Sequence, residues 1–223
     1  MSASVCQRIF VAAVLLCLLF SFLPSACRAE AEEGRHYTVA TVDYDKMYWG
    51  IGISYTRVIE LSHNGEENGT LMATYELGTS GLQLEKPGYH IRVSRDGGET
   101  WRETAVIREK AAAVQSEWQP FLYELPRAIG GMPEGTVLCA ACSVDSAHAK
   151  RSALRLYRSY DVGETWEQFA TIAIGGGLST GVWEPFLMTL PDGRLACYYS
   201  DSTDEPHYSQ KMVMRISEDG VAW

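Results

Sequence analysis

The sequence is short of positive charge. Its 223 residues include 19 lysines and arginines against 28 aspartates and glutamates, which gives a formal net charge of −9 at pH 7. A chain this acidic has no long-range attraction for nucleic acid or for an anionic membrane, so we expect neither as a partner. A neutral glycan suits the charge better than a polyanion, although a local arginine cluster could still admit sialic acid.

Cysteine is also scarce. Of six cysteines, three lie in the first 29 residues, which leaves Cys139, Cys142 and Cys197. Cys139 and Cys142 fall in a strand pattern, where residues three apart point to opposite faces, so neither a redox pair nor a shared metal is favoured. We expect three separate, mostly buried thiols and no metal or cofactor. The glycines at 175–177 precede a strand rather than a helix, so they do not predict a phosphate-binding loop.

Long hydrophobic runs are missing except at the N-terminus. Residues 1–29 contain no acidic residue, carry Arg8 before the apolar run 9–23, and end in the small-residue pattern C-R-A. The run is too short for a comfortable bilayer span, so the pattern predicts a cleaved signal peptide and a secreted protein. Cleavage would lower the net charge to about −11, because the segment holds two arginines and no acid. Acylation of Cys27, as in a lipoprotein, is the alternative.

The sequence contains an internal repeat. The pattern S-x-D-x-G-x-T-W occurs at 94–101 and again 65 residues later at 159–166, and a shorter copy, SEDGVAW, occupies 217–223. WQPFLYEL at 118–125 and WEPFLMTL at 183–190 are also 65 residues apart. The later spacing falls to 58 because the segment PRAIGGMPEG is seven residues longer than its counterpart PDG. Self-similarity at such a period indicates a repeat architecture.

Each repeat divides into four short strands separated by turn signals. In the middle repeat the predicted strands are 118–125, 136–144, 153–159 and 166–172. A repeated four-stranded unit predicts a β-propeller blade. A β-sandwich, the second choice, does not predict repeated strand-turn signatures. We expect blades at approximately 55–107, 118–174 and 183–223.

The repeated motif has the chemistry of a turn between the third and fourth strands. Asp96 and Asp161 can accept hydrogen bonds from backbone N–H groups of the turn. Gly98 and Gly163 can adopt a positive φ, and the final tryptophan can fold back into the blade. A calcium loop would need a spaced run of oxygen ligands that the motif lacks, so we predict a structural role and no metal.

The motif resembles the Asp-box, or BNR repeat, of the sialidase-like β-propellers, where it lies at the blade periphery. The matching positions are Ser94, Asp96, Gly98, Trp101, Ser159, Asp161, Gly163, Trp166, Ser217, Asp219 and Trp223. The segments VWEPFL (182–187), PDGRLACYYSD (191–201) and HYSQKMVMRISEDG (207–220) are similar to the exo-α-1,5-arabinanases of glycoside hydrolase family 93 and their bacterial relatives.

This resemblance implies an all-β, six-bladed sialidase-like propeller, of which about three blades are present. Residues 30–223 would form the N-terminal part of a longer enzyme, with 36–49 supplying a strand that closes the ring. An open ring exposes blade faces, so we expect the isolated 223-residue product to be inactive and poorly folded.

In a propeller the first strand of each blade lines the central channel, where several blades can hold one ligand. These strands present Arg57, Gln119 and Glu184, which lie four, six and six residues before a shared leucine. Because these distances are all even and side chains alternate along a strand, the three residues are expected on the same face of their strands. Glu184, between Trp183 and Pro185, is expected to be desolvated and is the candidate catalytic carboxylate. The alternative is that it only ties down a neighbouring loop.

The arabinanase resemblance favours the catalytic role of Glu184. It also implies that Arg57 matches the channel arginine of the first blade, although a surface salt bridge stays open. The other candidate substrate contacts are Gln119, Trp183, Asp201 and Lys211. Glycoside hydrolysis generally needs two carboxylates, and the resemblance puts the second in a later blade, so retaining and inverting mechanisms both stay open.

Three functions are compatible with these features. The first is a secreted exo-acting glycoside hydrolase that cleaves arabinan or a similar glycan. The second is an exo-α-sialidase, which needs an arginine triad and a nucleophilic tyrosine paired with a glutamate. The third is a non-catalytic glycan-binding propeller in which Glu184 only contacts the ligand.

Overall fold

The structure is a computed structural model that describes residues 37–41, 52–77, 88–109, 114–145 and 151–223. The signal peptide predicted at 1–29 and most of the strand predicted at 36–49 lie outside the described residues. Residues 37–41 have no regular secondary structure. Within the described ranges, no helix is long and apolar enough to cross a membrane.

Three antiparallel sheets make up the described chain, which confirms the predicted all-β class. The first sheet consists of β1 (Ile53–Glu60), β2 (Leu71–Leu77), β3 (Tyr89–Ser94) and β4 (Arg102–Ile107). The second consists of β5 (Val114–Glu124), β6 (Val137–Asp145), β7 (Arg151–Ser159) and β8 (Glu167–Ile174). The third consists of β9 (Val182–Thr189), β10 (Leu195–Asp201) and β11 (Lys211–Ser217). The helical content of these ranges is one 3-10 turn, Gly65–Glu67.

Strands that follow one another in the chain are neighbours in each sheet. This meander order is the order of a propeller blade and is consistent with a partial β-propeller. The four strands predicted for the middle repeat coincide with β5 to β8 to within a few residues. The first strands of the three sheets also adjoin one another, since β5 packs against both β1 and β9.

Strand β6 is buried on both faces and separates two hydrophobic cores. Leu138, Ala140 and Cys142 belong to a core shared with the third sheet. Cys139 and Ala141 belong to a core shared with the first sheet. The strand therefore has an almost continuous run of small apolar residues rather than an alternating one.

The two cysteines of β6 face opposite cores, as their spacing predicts. Cys139, Cys142 and Cys197 are free and buried. Burial raises the pKa of the Cys139 and Cys197 thiols to about 12, because a thiolate is poorly solvated in an apolar core. These thiols are packing residues.

The repeated motif forms the predicted turn in each unit. In the first turn, Thr100 donates to Asp96 from its backbone N–H at 2.9 Å and from its hydroxyl at 2.5 Å. The Ser94 hydroxyl accepts the Gly98 N–H at 2.9 Å, and Gly98 has φ +95°. The Trp101 indole N–H donates to the Gly98 carbonyl at 3.0 Å.

The other two turns repeat these bonds. In the second, Thr165 donates to Asp161 at 2.8 Å, and the indole of Trp166 donates to the Gly163 carbonyl at 3.1 Å. The third is one residue shorter, yet Asp219 still accepts backbone N–H groups at 2.8 Å. The Ser217 hydroxyl accepts the Gly220 N–H at 2.8 Å. The Trp223 indole N–H donates to the Gly220 carbonyl, also at 2.8 Å. The three turns therefore share one hydrogen-bonding pattern.

A buried carboxylate at the end of β5 connects the first sheet to the second. Glu124, 9% exposed, accepts the backbone N–H groups of Ser62 and His63 at 2.8 and 2.9 Å. The Asn64 amide donates to Glu124 at 2.6 Å and to the Gly135 carbonyl at 2.8 Å. The loop after β1 is thus held by the second sheet.

Candidate active site

Each of the three inner strands, β1, β5 and β9, contains a bulge at the same place. The residues at these positions, Tyr55, Gln119 and Glu184, have φ values of +49°, +57° and +57°. Among the described residues only one other non-glycine residue, Val162, has a positive φ. A left-handed conformation is costly for a residue with a Cβ, and such residues concentrate at functional sites.

The bulges interrupt the ladder in the same way. The register shifts between Ser54 and Arg57 in β1 and between Trp118 and Phe121 in β5. In β9 it shifts between Trp183 and Phe186. Two residues of the inner strand therefore face one residue of its neighbour. In β5 and β9 the second of the two is Pro120 or Pro185, which has no N–H to lose from the ladder.

The bulges bring their side chains to the lining of one pocket. Its lining consists of Tyr55, Arg57, Gln119, Pro120, Phe121, Glu184, Pro185 and Phe186. The predicted channel residues Arg57, Gln119 and Glu184 are therefore together. Phe121 and Phe186, with ring centroids 4.7 Å apart, give the pocket an apolar side.

Glu184 is held by hydrogen bonds from all three sheets. Its Oε1 accepts the Tyr55 hydroxyl at 3.3 Å, and its Oε2 accepts the Ser200 hydroxyl at 3.1 Å. Its backbone N–H donates to the Gln119 side-chain oxygen at 3.0 Å. The carboxylate has a fixed direction toward the pocket.

A second, buried carboxylate lies behind Gln119. Glu76, on β2 and 6% exposed, accepts the Gln119 backbone N–H at 2.5 Å and the Ser54 hydroxyl at 2.8 Å. Burial raises the pKa of the Glu76 carboxyl, and the two hydrogen bonds offset only part of that effect. Glu76 does not line the pocket.

Two expectations about Glu184 need correction. It is exposed rather than desolvated, although Trp183 and Pro185 on either side of it are buried. Its hydrogen-bond partners Tyr55, Gln119 and Ser200 lie on strands, so it does not tie down a loop.

Three predicted substrate contacts lie elsewhere than in the pocket lining. Trp183 is 8% exposed and packs in the core against Trp118, with ring centroids 6.1 Å apart. Asp201 accepts the Thr203 backbone N–H at 2.7 Å and so caps the turn after β10. Lys211 pairs with Asp204 at 3.1 Å. Their role as substrate contacts stays a prediction.

Arg57 is exposed and belongs to the pocket lining. Its guanidinium donates to the Thr56 carbonyl at 3.0 Å, and none of the described ion pairs involves it. The alternative of a surface salt bridge therefore has no partner within the described residues. Those residues also contain no cluster of three or more histidine, cysteine or acidic side chains that could hold a metal ion.

Sequence reasoning missed Tyr55, Ser200 and Glu76. A signal for Tyr55 was present, since it precedes Leu61 by six residues, as Gln119 precedes Leu125. The true counterpart of Gln119 and Glu184 is thus Tyr55 rather than Arg57. Ser200 and Glu76 had no comparable signal, because their roles depend on register across the sheets.

No protein-family model matches this sequence, and no curated protein matches it. Solved structures do match. The GH93 α-L-arabinofuranosidase of Fusarium graminearum in complex with arabinobiose is 38% identical, with a TM-score of 0.67 over 77% of this chain and 46% of that chain. The α-L-arabinanase of Penicillium chrysogenum complexed with arabinobiose is 35% identical, with a TM-score of 0.68 over 77% of this chain and 47% of that chain.

The chain therefore spans about half the length of these solved structures. A structure of the Fusarium graminearum enzyme with an iminosugar inhibitor gives a similar TM-score of 0.68 at 38% identity. At this identity and TM-score, the described sheets share their fold with about half of a GH93 α-L-arabinofuranosidase and of an α-L-arabinanase.

Proposed function

We propose that this chain is the N-terminal part of a secreted, exo-acting glycoside hydrolase that cleaves arabinan or a similar neutral glycan. The complete protein is a six-bladed sialidase-like β-propeller with Asp-box turns, and Glu184 is one of its two catalytic carboxylates. The observation that carries the proposal is the pocket in which Tyr55, Gln119 and Glu184 converge from three inner strands.

The pocket suits a neutral sugar. Arg57 offers donors for hydroxyl groups, and Phe121 and Phe186 offer an apolar surface for the C–H face of a sugar ring. The similarity to two enzymes whose structures hold arabinobiose supports an arabinan-type substrate.

Glu184 is the carboxylate of this pocket lining. Glycosidases place a second carboxyl about 5 to 5.5 Å away in retaining enzymes and about 6.5 to 9.5 Å away in inverting ones. We place that second group in a later blade. The isolated 223-residue product should then be inactive, and full turnover by it alone would contradict this placement.

The test uses the product of the complete reading frame, here called the full-length protein. It is incubated with linear α-1,5-arabinan and, separately, with an α-sialoside, and released sugars are identified chromatographically. The proposal expects arabino-oligosaccharide release from the chain end and no sialic acid. Sialic acid release would instead establish the sialidase, and glycan binding without turnover would establish the binding module.

We also propose that residues 1–29 direct secretion. N-terminal sequencing of the protein recovered from culture medium should begin close to residue 30. Retention in the membrane fraction through a lipid on Cys27 would replace this proposal with the lipoprotein alternative.

A further inference from the structure

We propose that Glu76 and Gln119 are positioning residues that hold Glu184 in its reactive orientation through a relay of backbone N–H bonds. This inference rests on the proposed role of Glu184. It concerns two residues whose action on the reaction is indirect, one of them outside the pocket.

The relay has two links. The buried Glu76 carboxylate on β2 accepts the Gln119 backbone N–H, and the Gln119 side-chain oxygen accepts the Glu184 backbone N–H at 3.0 Å. One bond thus joins the first sheet to the second, and the next joins the second to the third. The relay therefore connects all three sheets.

These links replace bonds that the bulges remove. Gln119 and Glu184 fall where the ladder register skips, so neither has a partner residue on the adjacent strand. A backbone N–H without an acceptor is costly, and a left-handed φ persists only when its surroundings fix it. Glu76 and the Gln119 side chain supply the acceptors at these two points.

The direction of the Glu184 carboxylate depends on its backbone. Its contacts with Tyr55 and Ser200, at 3.3 and 3.1 Å, are made with φ at +57°. Release of the Glu184 N–H would let the strand return toward an ordinary extended conformation and would carry the carboxylate away. A misplacement of about 1 Å at a reacting group can cost about 100-fold in rate.

The test compares four variants of the full-length protein. Gln119→Met removes the acceptor at similar length, Gln119→Glu keeps an acceptor but adds a charge, and Glu76→Gln removes the charge of the buried group. Glu124→Gln is the control, since Glu124 is a similarly buried glutamate between the first two sheets with no contact to Glu184.

We expect kcat on the arabinan substrate to fall about 10- to 100-fold in Gln119→Met and about tenfold in Glu76→Gln, with KM within about threefold of the wild type. Gln119→Glu should recover much of kcat, with the acidic limb of its pH–rate profile moved to higher pH by the added negative charge. Glu124→Gln should keep kcat. A KM increase with unchanged kcat in Gln119→Met would make Gln119 a substrate contact and overturn the proposal, as would an equal kcat loss in Glu124→Gln.

Amide hydrogen exchange separates this inference from the proposed function. The segment Val182–Thr189 should exchange faster in Gln119→Met than in the wild type, whether or not any glycan is hydrolysed. Unchanged exchange there would overturn the relay. Faster exchange in a protein whose wild type cleaves no glycan would overturn the proposed function alone.

Discussion

The Tyr55 hydroxyl donates a hydrogen bond to Oε1 of Glu184 at 3.3 Å, across 129 positions of sequence. Both residues occupy the left-handed position of a bulge, one in the first sheet and one in the third. The pocket is thus built from equivalent positions of a repeat. The repeat supplies the same backbone three times and a different side chain each time.

Tyr55→Phe should lower kcat/KM about tenfold or more, because a hydrogen bond to a charged group contributes about 1.5 to 3 kcal/mol. The ring stays, so the pocket keeps its shape. Steady-state kinetics of the full-length protein on arabino-oligosaccharides measure the effect. Tyr160→Phe, at an exposed tyrosine outside the pocket lining, is the control and should be neutral. Equal activity of Tyr55→Phe and wild type would remove Tyr55 from the site.

Glu124→Ala should lower the free energy of unfolding by roughly 1 to 3 kcal/mol, because it leaves several donors of the loop after β1 without their acceptor. Urea unfolding of the full-length protein measures the change. Glu60 occupies the corresponding place in the first unit and is exposed, so Glu60→Ala should stay within about 0.5 kcal/mol of the wild type. Similar losses in the two variants would show that the carboxylate does not connect the sheets.

Gly135→Ala should destabilise the protein by about 1 to 3 kcal/mol more than Gly131→Ala does. The two glycines have almost the same φ, +82° and +81°, so alanine pays the same cost for a left-handed backbone at either position. A Cβ on Gly135 would lie 2.3 Å from the His63 carbonyl oxygen, whereas one on Gly131 would meet nothing within 4 Å. Thermal unfolding of both variants gives the difference, and equal melting temperatures would exclude close packing of this loop on the first sheet.

Asp96→Asn should destabilise the protein at neutral pH and progressively less in acid. Hydrogen bonds from the Thr100 hydroxyl and backbone N–H lower the pKa of Asp96 from its usual 3.8 to about 2. A lowered pKa contributes stability above pH 3.8, and this contribution is lost as the pH falls toward 2. In urea unfolding, the difference in free energy of unfolding between Asp96→Asn and the wild type should be smaller at pH 3 than at pH 7. Thr100→Val, which removes one donor, should give a smaller difference with the same dependence on pH. A difference independent of pH would contradict the turn chemistry.

The sheets could be predicted because the repeat marks them. Turn residues such as Gly98 and Gly163 recur at a fixed distance, and each marks the same hairpin. The spacing of Cys139 and Cys142 also predicted that they face opposite sides of β6, and they belong to different cores.

The site could be predicted only in part, because bulges change which side chains face the pocket. Counting alternate residues along a strand identified Gln119 and Glu184. It took Arg57 as their counterpart in the first sheet, because such a count assumes a strand without a bulge. Their counterpart is Tyr55, at the bulge of β1, and Trp183 packs in the core. Ser200 and Glu76 reach the site through pairing between strands, which no local pattern encodes.

The central claim is that Glu184 is a catalytic carboxylate. The most direct measurement is kcat/KM of the full-length Glu184→Gln variant on linear arabino-oligosaccharides, with circular dichroism and melting temperature as checks of the fold. We predict a loss of about 100- to 10,000-fold with the fold intact, because the amide keeps the shape of the side chain but cannot transfer a proton or act as a nucleophile. Turnover within about twofold of the wild type would contradict the claim.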